Sequence, residues 1–257
     1  MSWVTAALRS SVGKKFVMGI TGLFLCGFLV IHLAGNLLLY IGDGTVYNEY
    51  AHKLHSNPIL LFVAEVILFA GFLIHIYLAI VTNRENRAAR GVRYAVKKTK
   101  REDRTVNLFG WTPDTTMFAS GAVILGFLVV HLSDFKFGDI VHGERIAGLE
   151  PADKARILMS DAIRAGIYLV GSIFVGIHVS HGFWSAFQSL GVNHPKYNDW
   201  IRKVGIAFAI IVAVGFGSFF VWGISGGEVD PAVEEAPVGS SSVLETAPPR
   251  PDQYTQK

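Results

Sequence analysis

The chain has 257 residues, of which 51% are hydrophobic and only 17% are charged. Soluble domains carry about 25% charged residues, so this composition argues against an ordinary water-soluble protein. The net charge of +3 gives no reason to expect a nucleic-acid partner. The single cysteine, Cys26, excludes an internal disulfide and an iron–sulfur site held by four thiolates.

Five apolar stretches are each long enough to cross a bilayer, which takes about 20 residues in a helix. In chain order they are residues 16–41, 59–82, 115–134, 165–187 and 204–224. We therefore predict an all-α integral membrane protein of five transmembrane helices. Residues 1–225 form its membrane domain, and no internal repeat is expected.

The distribution of basic residues predicts how the chain is oriented. The N-terminal segment is basic, and the connection formed by residues 83–114 carries nine basic residues against four acidic ones. We expect the N-terminus in the cytoplasm and the C-terminus outside, in a cytoplasmic (inner) membrane of bacterial or archaeal type. The acidic, proline-rich tail, residues 226–257, has no apolar periodicity and is predicted to be disordered.

The predicted helices contain five histidines, and ionisable side chains at membrane depth are functional candidates. Imidazole is a common iron ligand. For each histidine alone, a hydrogen bond to a neighbouring helix is an equally good interpretation. The five are His32, His75, His131, His178 and His181.

Depth in the membrane groups these histidines. At 1.5 Å per residue, His32 and His131 lie about 5 and about 10 Å toward the outside of their span centres. His75 and His178 lie about 7 and about 3 Å toward the cytoplasm. Two levels with two histidines each predict two bis-histidine haems, one held by His32 and His131 and one by His75 and His178. The first four spans then form a dihaem bundle, and the fifth, which has no histidine, packs against it. His181 competes with His178, because both lie on the inner side of the fourth span.

Glycines precede the four histidines by four to seven residues: Gly27, Gly71, Gly126 and Gly171. A residue without a side chain near the ligand face would let a flat macrocycle approach the backbone. Ordinary helix packing explains any one of them equally well.

The segments around these histidines resemble the dihaem cytochrome b membrane anchor of succinate:quinone oxidoreductases and quinol:fumarate reductases, the succinate dehydrogenase cytochrome b subunit family. The resemblance extends over residues 10–223. It rests on Thr21-Gly22-Leu23-Phe24-Leu25 running on to His32, on Ile74-His75-Ile76-Tyr77-Leu78-Ala79, on Val130-His131-Leu132, and on His178-Val179-Ser180-His181-Gly182-Phe183-Trp184.

The resemblance implies a ligand set. Gly182, Phe183 and Trp184 follow His178 as they follow the family's fourth ligand, which favours His178 over His181. His32 and His131 would then hold the outer (distal) haem b, and His75 and His178 the inner (proximal) one. The implied role of His181 is to hydrogen-bond a haem propionate or a neighbouring helix.

The resemblance also implies partners. A flavoprotein subunit and an iron–sulfur subunit would dock on the cytoplasmic face, against the N-terminus and the basic connection, and the complex could form oligomers. Contact with lipid headgroups explains that basic connection equally well. Electrons would pass between the iron–sulfur subunit and a quinone, commonly menaquinone, in a respiratory chain. Whether succinate is oxidised or fumarate reduced is open.

A quinone needs groups that hydrogen-bond its carbonyls and exchange protons. The first outer loop offers Glu49, Tyr50, His52, His55 and Asn57, and Glu65 lies just inside the second span. All six are equally compatible with a solvated interface. The inner face near Ser10, Ser11 and Arg84 is the competing location.

Two other functions remain open. A haem-free five-span carrier or proton relay would use the same histidines together with Glu65. A cytochrome b subunit of a hydrogenase or formate dehydrogenase would share the haems and differ in its partner.

Overall fold

The computed structural model describes residues 3–89 and 113–225, and within these ranges the chain forms nine α-helices and no β-strand. The helices are α1 (Trp3–Arg9), α2 (Ser11–Asn36), α3 (Thr45–His55), α4 (Pro58–Ala88), α5 (Pro113–His131), α6 (Gly138–Val141), α7 (Pro151–Ser160), α8 (Ala162–Ser189) and α9 (Pro195–Ser225). The prediction of an all-α fold is confirmed. The predicted disordered tail, residues 226–257, and residues 90–112 of the basic connection lie outside the described residues.

Five helical segments are long and apolar enough to cross a membrane, which confirms the five predicted spans. They are Ser11–Tyr40, Pro58–Ala88, Thr116–Lys136, Ala162–Ser189 and Pro195–Ser225. Large apolar side chains, such as those of Ile67, Val129 and Ile211, lie exposed on their surfaces. Contiguous exposed apolar surface of this kind is expected of a protein whose surroundings are lipid.

Capping side chains fix where the long helices begin. The Ser10 hydroxyl accepts a hydrogen bond from the Gly13 amide at 3.0 Å and starts α2. Asn57 accepts from the Leu60 amide at 3.1 Å and starts α4. Because the first and last turns of these helices include polar residues, the helices extend beyond the spans that hydropathy marks.

Helix α8 lies at the centre of the bundle, in contact with α9, α5 and α2, and α4 packs on the far side of α2. The approach of α8 to α9 is close at Gly176, where an added Cβ would lie 2.7 Å from the Ala213 Cβ. Small residues at such crossings let helix backbones approach in a membrane. The fifth span therefore packs against the fourth, as its lack of histidines predicted.

Two helices in the connecting loops, α3 and α7, cover one end of the bundle. Leu33 and Leu39 pack there with Ala152 and Ala155 of α7 and Phe219 of α9. The Asn48 side-chain oxygen also accepts a hydrogen bond from the Ala152 amide at 2.8 Å. We call this end, which corresponds to the predicted outer side, the α3/α7 end.

Candidate functional site

The structure brings the four predicted ligands together as two ring pairs. The imidazole centroids of His32 and His131 are 5.7 Å apart, with an angle of 83° between the ring planes. Those of His75 and His178 are 6.4 Å apart at 74°. Each pair joins different helices, α2 with α5 and α4 with α8, so four helices contribute one ring each. We call these the outer pair and the inner pair. Their role as haem ligands stays a prediction.

The two pairs lie at different heights along the bundle. On α2, Thr21 contacts His75 of the inner pair, and His32 of the outer pair follows eleven residues later. On α5, Ser120 contacts His178, and His131 again follows eleven residues later. Eleven helical residues rise about 16 Å, so the pairs are separated by roughly half of the hydrocarbon thickness.

The inner pair is held by hydroxyl groups of neighbouring helices. Thr21 Oγ1 lies 3.2 Å from His75 Nδ1, and Ser120 Oγ lies 3.1 Å from His178 Nδ1. Both hydroxyl-bearing residues are buried, and Ser120 is only 1% exposed. Sequence reasoning did not select Ser120 at all, and it used Thr21 only as part of a family resemblance.

A glycine follows each of these hydroxyl residues and leaves room for the imidazole. A Cβ added at Gly22 would lie 3.3 Å from His75 Cε1, and one at Gly121 would lie 3.5 Å from His178 Cε1. The ring therefore rests against bare helix backbone. We call Thr21-Gly22 on α2 and Ser120-Gly121 on α5 the imidazole notches.

A repeat in the sequence relates the two notches, so the expectation of no internal repeat is wrong. Residues 18–33 align with residues 117–132 without gaps, and eight of the sixteen positions are identical. The aligned positions include both notches, the Gly-Phe-Leu-Val tetrapeptides that begin at Gly27 and Gly126, and the two outer histidines. This alignment is the signal that identifies Ser120, because it places Ser120 opposite Thr21.

The outer pair has different surroundings. The ring of Phe28 stacks on His32 with centroids 5.1 Å apart, and that of Phe127 lies 5.9 Å from His131. His131 Nδ1 is buried without a hydrogen-bond partner among the described residues. His32 Nε2 lies 3.4 Å from Asn36 Nδ2, which is long for a hydrogen bond. An iron bound to this nitrogen would have to replace the Asn36 contact.

The four glycines predicted to face a macrocycle divide into two kinds. An added Cβ at Gly71 would lie 2.8 Å from a Phe24 ring atom, and one at Gly171 would collide with the ring of Phe127. These two glycines accommodate side chains of neighbouring helices, which favours the helix-packing interpretation for them. At Gly27 and Gly126, an added Cβ would meet no described atom within 4 Å, so helix packing among the described residues does not require glycine there.

A buried polar cluster that sequence reasoning missed lies beside the outer pair. Directly after His131 the helix widens into a π-turn, Leu132–Lys136, which turns Asp134 inward, where it is only 2% exposed. Its carboxylate accepts hydrogen bonds from Arg164 Nη1 at 2.9 Å and from the Tyr168 hydroxyl at 3.0 Å, and it lies 3.0 Å from His142 Nε2. The Tyr168 ring lies 5.9 Å from that of His131. The signal was Asp134 itself, a carboxylate at the end of an apolar span.

His181 lies one turn beyond His178 on α8 but outside the inner pair. Its Nδ1 is 3.1 Å from the carbonyl oxygen of Ile177 on its own helix and 3.2 Å from Ser180 Oγ. The implied bond to a propionate or a neighbouring helix stays a prediction.

The quinone-site candidates make separate contacts at the α3/α7 end. The ring of Tyr50 packs where a Cβ at Gly35 would stand. His55 Nδ1 lies 2.7 Å from the Ala51 carbonyl oxygen on α3, and Asn57 caps α4. Glu65 forms an ion pair with Lys136. The carboxylate of Glu49 is exposed on α3, and His52 Nε2 lies 2.8 Å from Glu150 Oε2.

A polar cavity of about 390 Å³ opens at the opposite end, close to the inner pair. It lies between α2, α4 and α8, beside the competing quinone location of the sequence analysis, although Ser10, Ser11 and Arg84 do not line it. Its lining residues are Lys15, Met18, Thr82, Asn86, Ser185, Gln188 and Ser189.

The histidine pairs fit a haem better than a bare metal ion. Among residues 3–89 and 113–225 no three His, Cys, Asp or Glu side chains are grouped to hold a metal, whereas an axially ligated haem needs only two protein ligands. Two imidazoles bound to opposite sides of one metal ion at about 2 Å have ring centres roughly 6 Å apart. Both observed separations are close to that value.

The chain matches no known family model, no curated protein and no solved structure.

Proposed function

We propose that this protein is a membrane-embedded dihaem cytochrome b that anchors a succinate dehydrogenase or fumarate reductase complex. The observation that carries the proposal is the pairing of four imidazoles from four helices at two heights in the bundle. Two haems b bound there would supply one-electron transfer between the two sides of the membrane interior. The resemblance of the segments around the histidines to that anchor family supports the choice of complex.

His32 and His131 would hold one haem, and His75 and His178 the other. The chain's part is to orient these rings and to keep water away from them. At the inner pair the imidazole notches fix the rings, and at the outer pair Phe28 and Phe127 pack against them. Gly27 and Gly126, whose added Cβ atoms would meet no described atom within 4 Å, leave the helix surface flat where a macrocycle would lie.

Quinone chemistry requires groups that take up and release protons near the haems. On the α3/α7 end we propose the carboxylates of Glu49 and Glu65 for this purpose, with Tyr50 as a hydrogen-bond donor to a quinone carbonyl. Glu65 is held by Lys136, so its proton exchange would be coupled to breaking that ion pair. His55 and Asn57, whose contacts stabilise α3 and the start of α4, would shape the site rather than react. The polar cavity beside the inner pair is the alternative quinone location.

The face that carries the N-terminus is proposed to bind the iron–sulfur subunit, with the flavoprotein subunit beyond it. The described basic residues on this face include Lys14, which pairs with Glu85, and Arg87, whose guanidinium lies 5.8 Å from the Phe118 ring centre. They support a surface for an acidic partner or for anionic lipid headgroups.

A haem-free proton relay is the second candidate, and one contact favours it. The Asn36 amide occupies His32 Nε2 at 3.4 Å, as in a histidine that serves only hydrogen bonding. The relay would also use Glu65 and the buried cluster around Asp134. It does not account for the second pair, whose Nε2 atoms make no hydrogen bond within the described residues.

Purification of the tagged full chain from its native membrane tests the proposal. We expect two non-covalent haems b per chain in the pyridine haemochrome assay, together with co-purifying subunits that contain covalent or bound flavin and iron–sulfur centres. Absence of haem would refute the cytochrome and favour the relay. Two haems with a hydrogenase or formate dehydrogenase as partner would keep the cytochrome and refute the succinate or fumarate assignment.

A further inference from the structure

The hydroxyl groups of the two imidazole notches have their own protons already engaged. Thr21 Oγ1 donates to the carbonyl oxygens of Val17 and Met18, at 3.0 and 3.1 Å. A hydroxyl group has one proton and two lone pairs. With this proton directed to the carbonyl oxygens, the oxygen offers a lone pair to His75 Nδ1, 3.2 Å away, and we assign the imidazole as the donor.

The second notch repeats this arrangement on a different helix. Ser120 Oγ donates to the Met117 carbonyl oxygen at 3.2 Å and lies 3.1 Å from His178 Nδ1. Met117 aligns with Met18 in the repeat, as Ser120 aligns with Thr21. Since two copies of one sequence pattern hold two histidines in the same way, the contact is a feature of the pattern rather than of one helix.

These hydrogen bonds determine which ring nitrogen has a lone pair available to bind a metal. With its proton on Nδ1, a neutral imidazole has the lone pair on Nε2. Within the part of the chain that the structure describes, no group hydrogen-bonds Nε2 of His75 or His178. Nε2 is thus the nitrogen of each inner imidazole that keeps a lone pair available.

We propose that Thr21 and Ser120 are positioning residues for the inner pair: each accepts the Nδ1–H of a histidine, fixes its tautomer and ring angle, and thereby sets the redox potential of the haem bound at that level. The inference rests on the proposed function in so far as a haem is bound. A hydrogen-bond acceptor on the far nitrogen raises the basicity of a metal-bound imidazole, which favours the oxidised iron and lowers its potential.

Among the described residues, no hydroxyl group accepts from the outer pair as it does at the inner pair. The redox potentials at the two levels are therefore expected to differ. His131 Nδ1 is buried without a described partner, and among the residues that the structure describes no hydroxyl hydrogen-bonds His32. Helices α2 and α5, which the sequence repeat relates, therefore contribute different groups at the two levels. At the outer level each supplies an imidazole, and at the inner level each supplies the hydroxyl that contacts an imidazole of another helix. The inner site is expected to have the lower potential, apart from differences in burial and charge.

Removal of the two hydroxyls tests the proposal. The variants are Thr21→Val and Ser120→Ala, and the conservative variants Thr21→Ser and Ser120→Thr keep a hydroxyl at each notch. The matched control is Ser172→Ala, because this residue is buried and its hydroxyl donates only to a backbone carbonyl. The readouts are haem per chain, the two midpoint potentials from a redox titration of the absorption bands, and the low-temperature EPR g-values.

We expect the first two variants to raise the midpoint potential of one haem and shift its EPR g-values, leaving the other haem unchanged. The conservative variants should restore both values, and the Ser172→Ala control should resemble the wild type. A variant that loses the inner haem supports the proposal if its conservative partner retains it. Unchanged potentials in chains with two haems would overturn the inference alone, as would an equal effect of the Ser172→Ala control.

A second measurement separates this inference from the proposed function, because it needs no haem. In full-length, ¹⁵N-histidine-labelled protein in lipid nanodiscs, the imidazole nitrogen shifts report the tautomer. His75 and His178 should carry the proton on Nδ1, and Thr21→Val and Ser120→Ala should move it toward Nε2. A proton on Nε2 in the wild type would overturn the inference, whatever the chain's haem content.

Discussion

Among single side chains, the hydrogen-bond partner of Nδ1 distinguishes His75 and His178 from His181. His75 and His178 are held through Nδ1 by the imidazole notches, and His181 is held through Nδ1 by its own helix. A histidine bonded to its own backbone carbonyl can be replaced with a small local cost, whereas an axial ligand cannot be replaced without losing its iron.

Substitution of individual histidines follows from this difference. We expect His178→Ala and His131→Ala each to reduce the haem content from two per chain to one. His181→Ala, one turn from His178, should retain both haems and is the matched control. The pyridine haemochrome assay on purified protein measures the count. Loss of a haem in His181→Ala with retention in His178→Ala would exchange their roles.

Asp134 is the buried hydrogen-bond acceptor of the π-turn. Arg164 and Tyr168 both donate to its carboxylate in a buried setting. Asp134→Ala would leave them without their partner, and breaking a buried charge pair costs about 3–5 kcal/mol. The control is Asp139→Ala, because Asp139 makes a 2.7 Å pair with Lys154 but is exposed, and such pairs contribute less than about 1 kcal/mol.

Thermal unfolding in detergent measures this difference. The midpoint of Asp134→Ala should fall well below that of the wild type, and that of Asp139→Ala should stay close to it. Similar midpoints for both variants would show that the Asp134 cluster does not stabilise the fold.

Among the helices, α8 shows how packing depends on small residues. Its Gly176 faces Ala213 and the Ala209 carbonyl oxygen of α9, whereas a Cβ at Gly166, ten residues earlier, would meet no described atom within 4 Å. The same substitution is therefore expected to have opposite effects at the two positions.

Alanine at these glycines tests the close helix crossing. Gly166→Ala should be neutral or stabilise by up to about 1 kcal/mol, the difference in helix propensity. Gly176→Ala should destabilise by about 1–3 kcal/mol, because an extra methyl group must displace packed atoms. The thermal unfolding midpoints of the two variants in the same detergent test this expectation. A Gly176→Ala variant that is more stable than the wild type would contradict the close packing of α8 against α9.

The start of α8 adds a pH dependence. Asp161 accepts a hydrogen bond from the Arg164 amide at 2.9 Å, and this bond holds the pKa of its carboxyl below the usual range. The charged cap is fully present above about pH 4, where an unfolded Asp is ionised, and is lost as the pH falls through the lower folded value. Asp161→Asn keeps a capping oxygen without the charge, so its unfolding midpoint should fall less steeply with acidification than that of the wild type.

The helices could be predicted from the sequence where hydropathy marks them and not elsewhere. The five spans and the depths of His32, His75, His131 and His178 follow from apolar runs and a fixed rise per residue. Helices α3 and α7 are short and have weak mean hydropathy, so no apolar run reveals them. Contacts such as Ser120 with His178 depend on the rotation of one helix against another, which span positions do not define.

In the whole molecule, two helices related by the sequence repeat, α2 and α5, combine with two helices outside the repeat, α4 and α8. Helices α2 and α5 each carry a notch near one end and an outer histidine near the other, while α4 and α8 supply the inner histidines. This arrangement stacks two imidazole pairs about 16 Å apart along the bundle. Under the proposed function, a haem at each level would pass electrons between the two levels. Helix α9 and the α3/α7 end add packing around it.

An experimental density map of the full chain, purified with its bound groups, tests the two-haem proposal most directly. The proposal requires two planar macrocycles, one with its iron between the Nε2 atoms of His32 and His131 and the other between those of His75 and His178. Imidazole pairs bonded only to protein or water at both levels, or a haem held by His181 in place of His178, would contradict it.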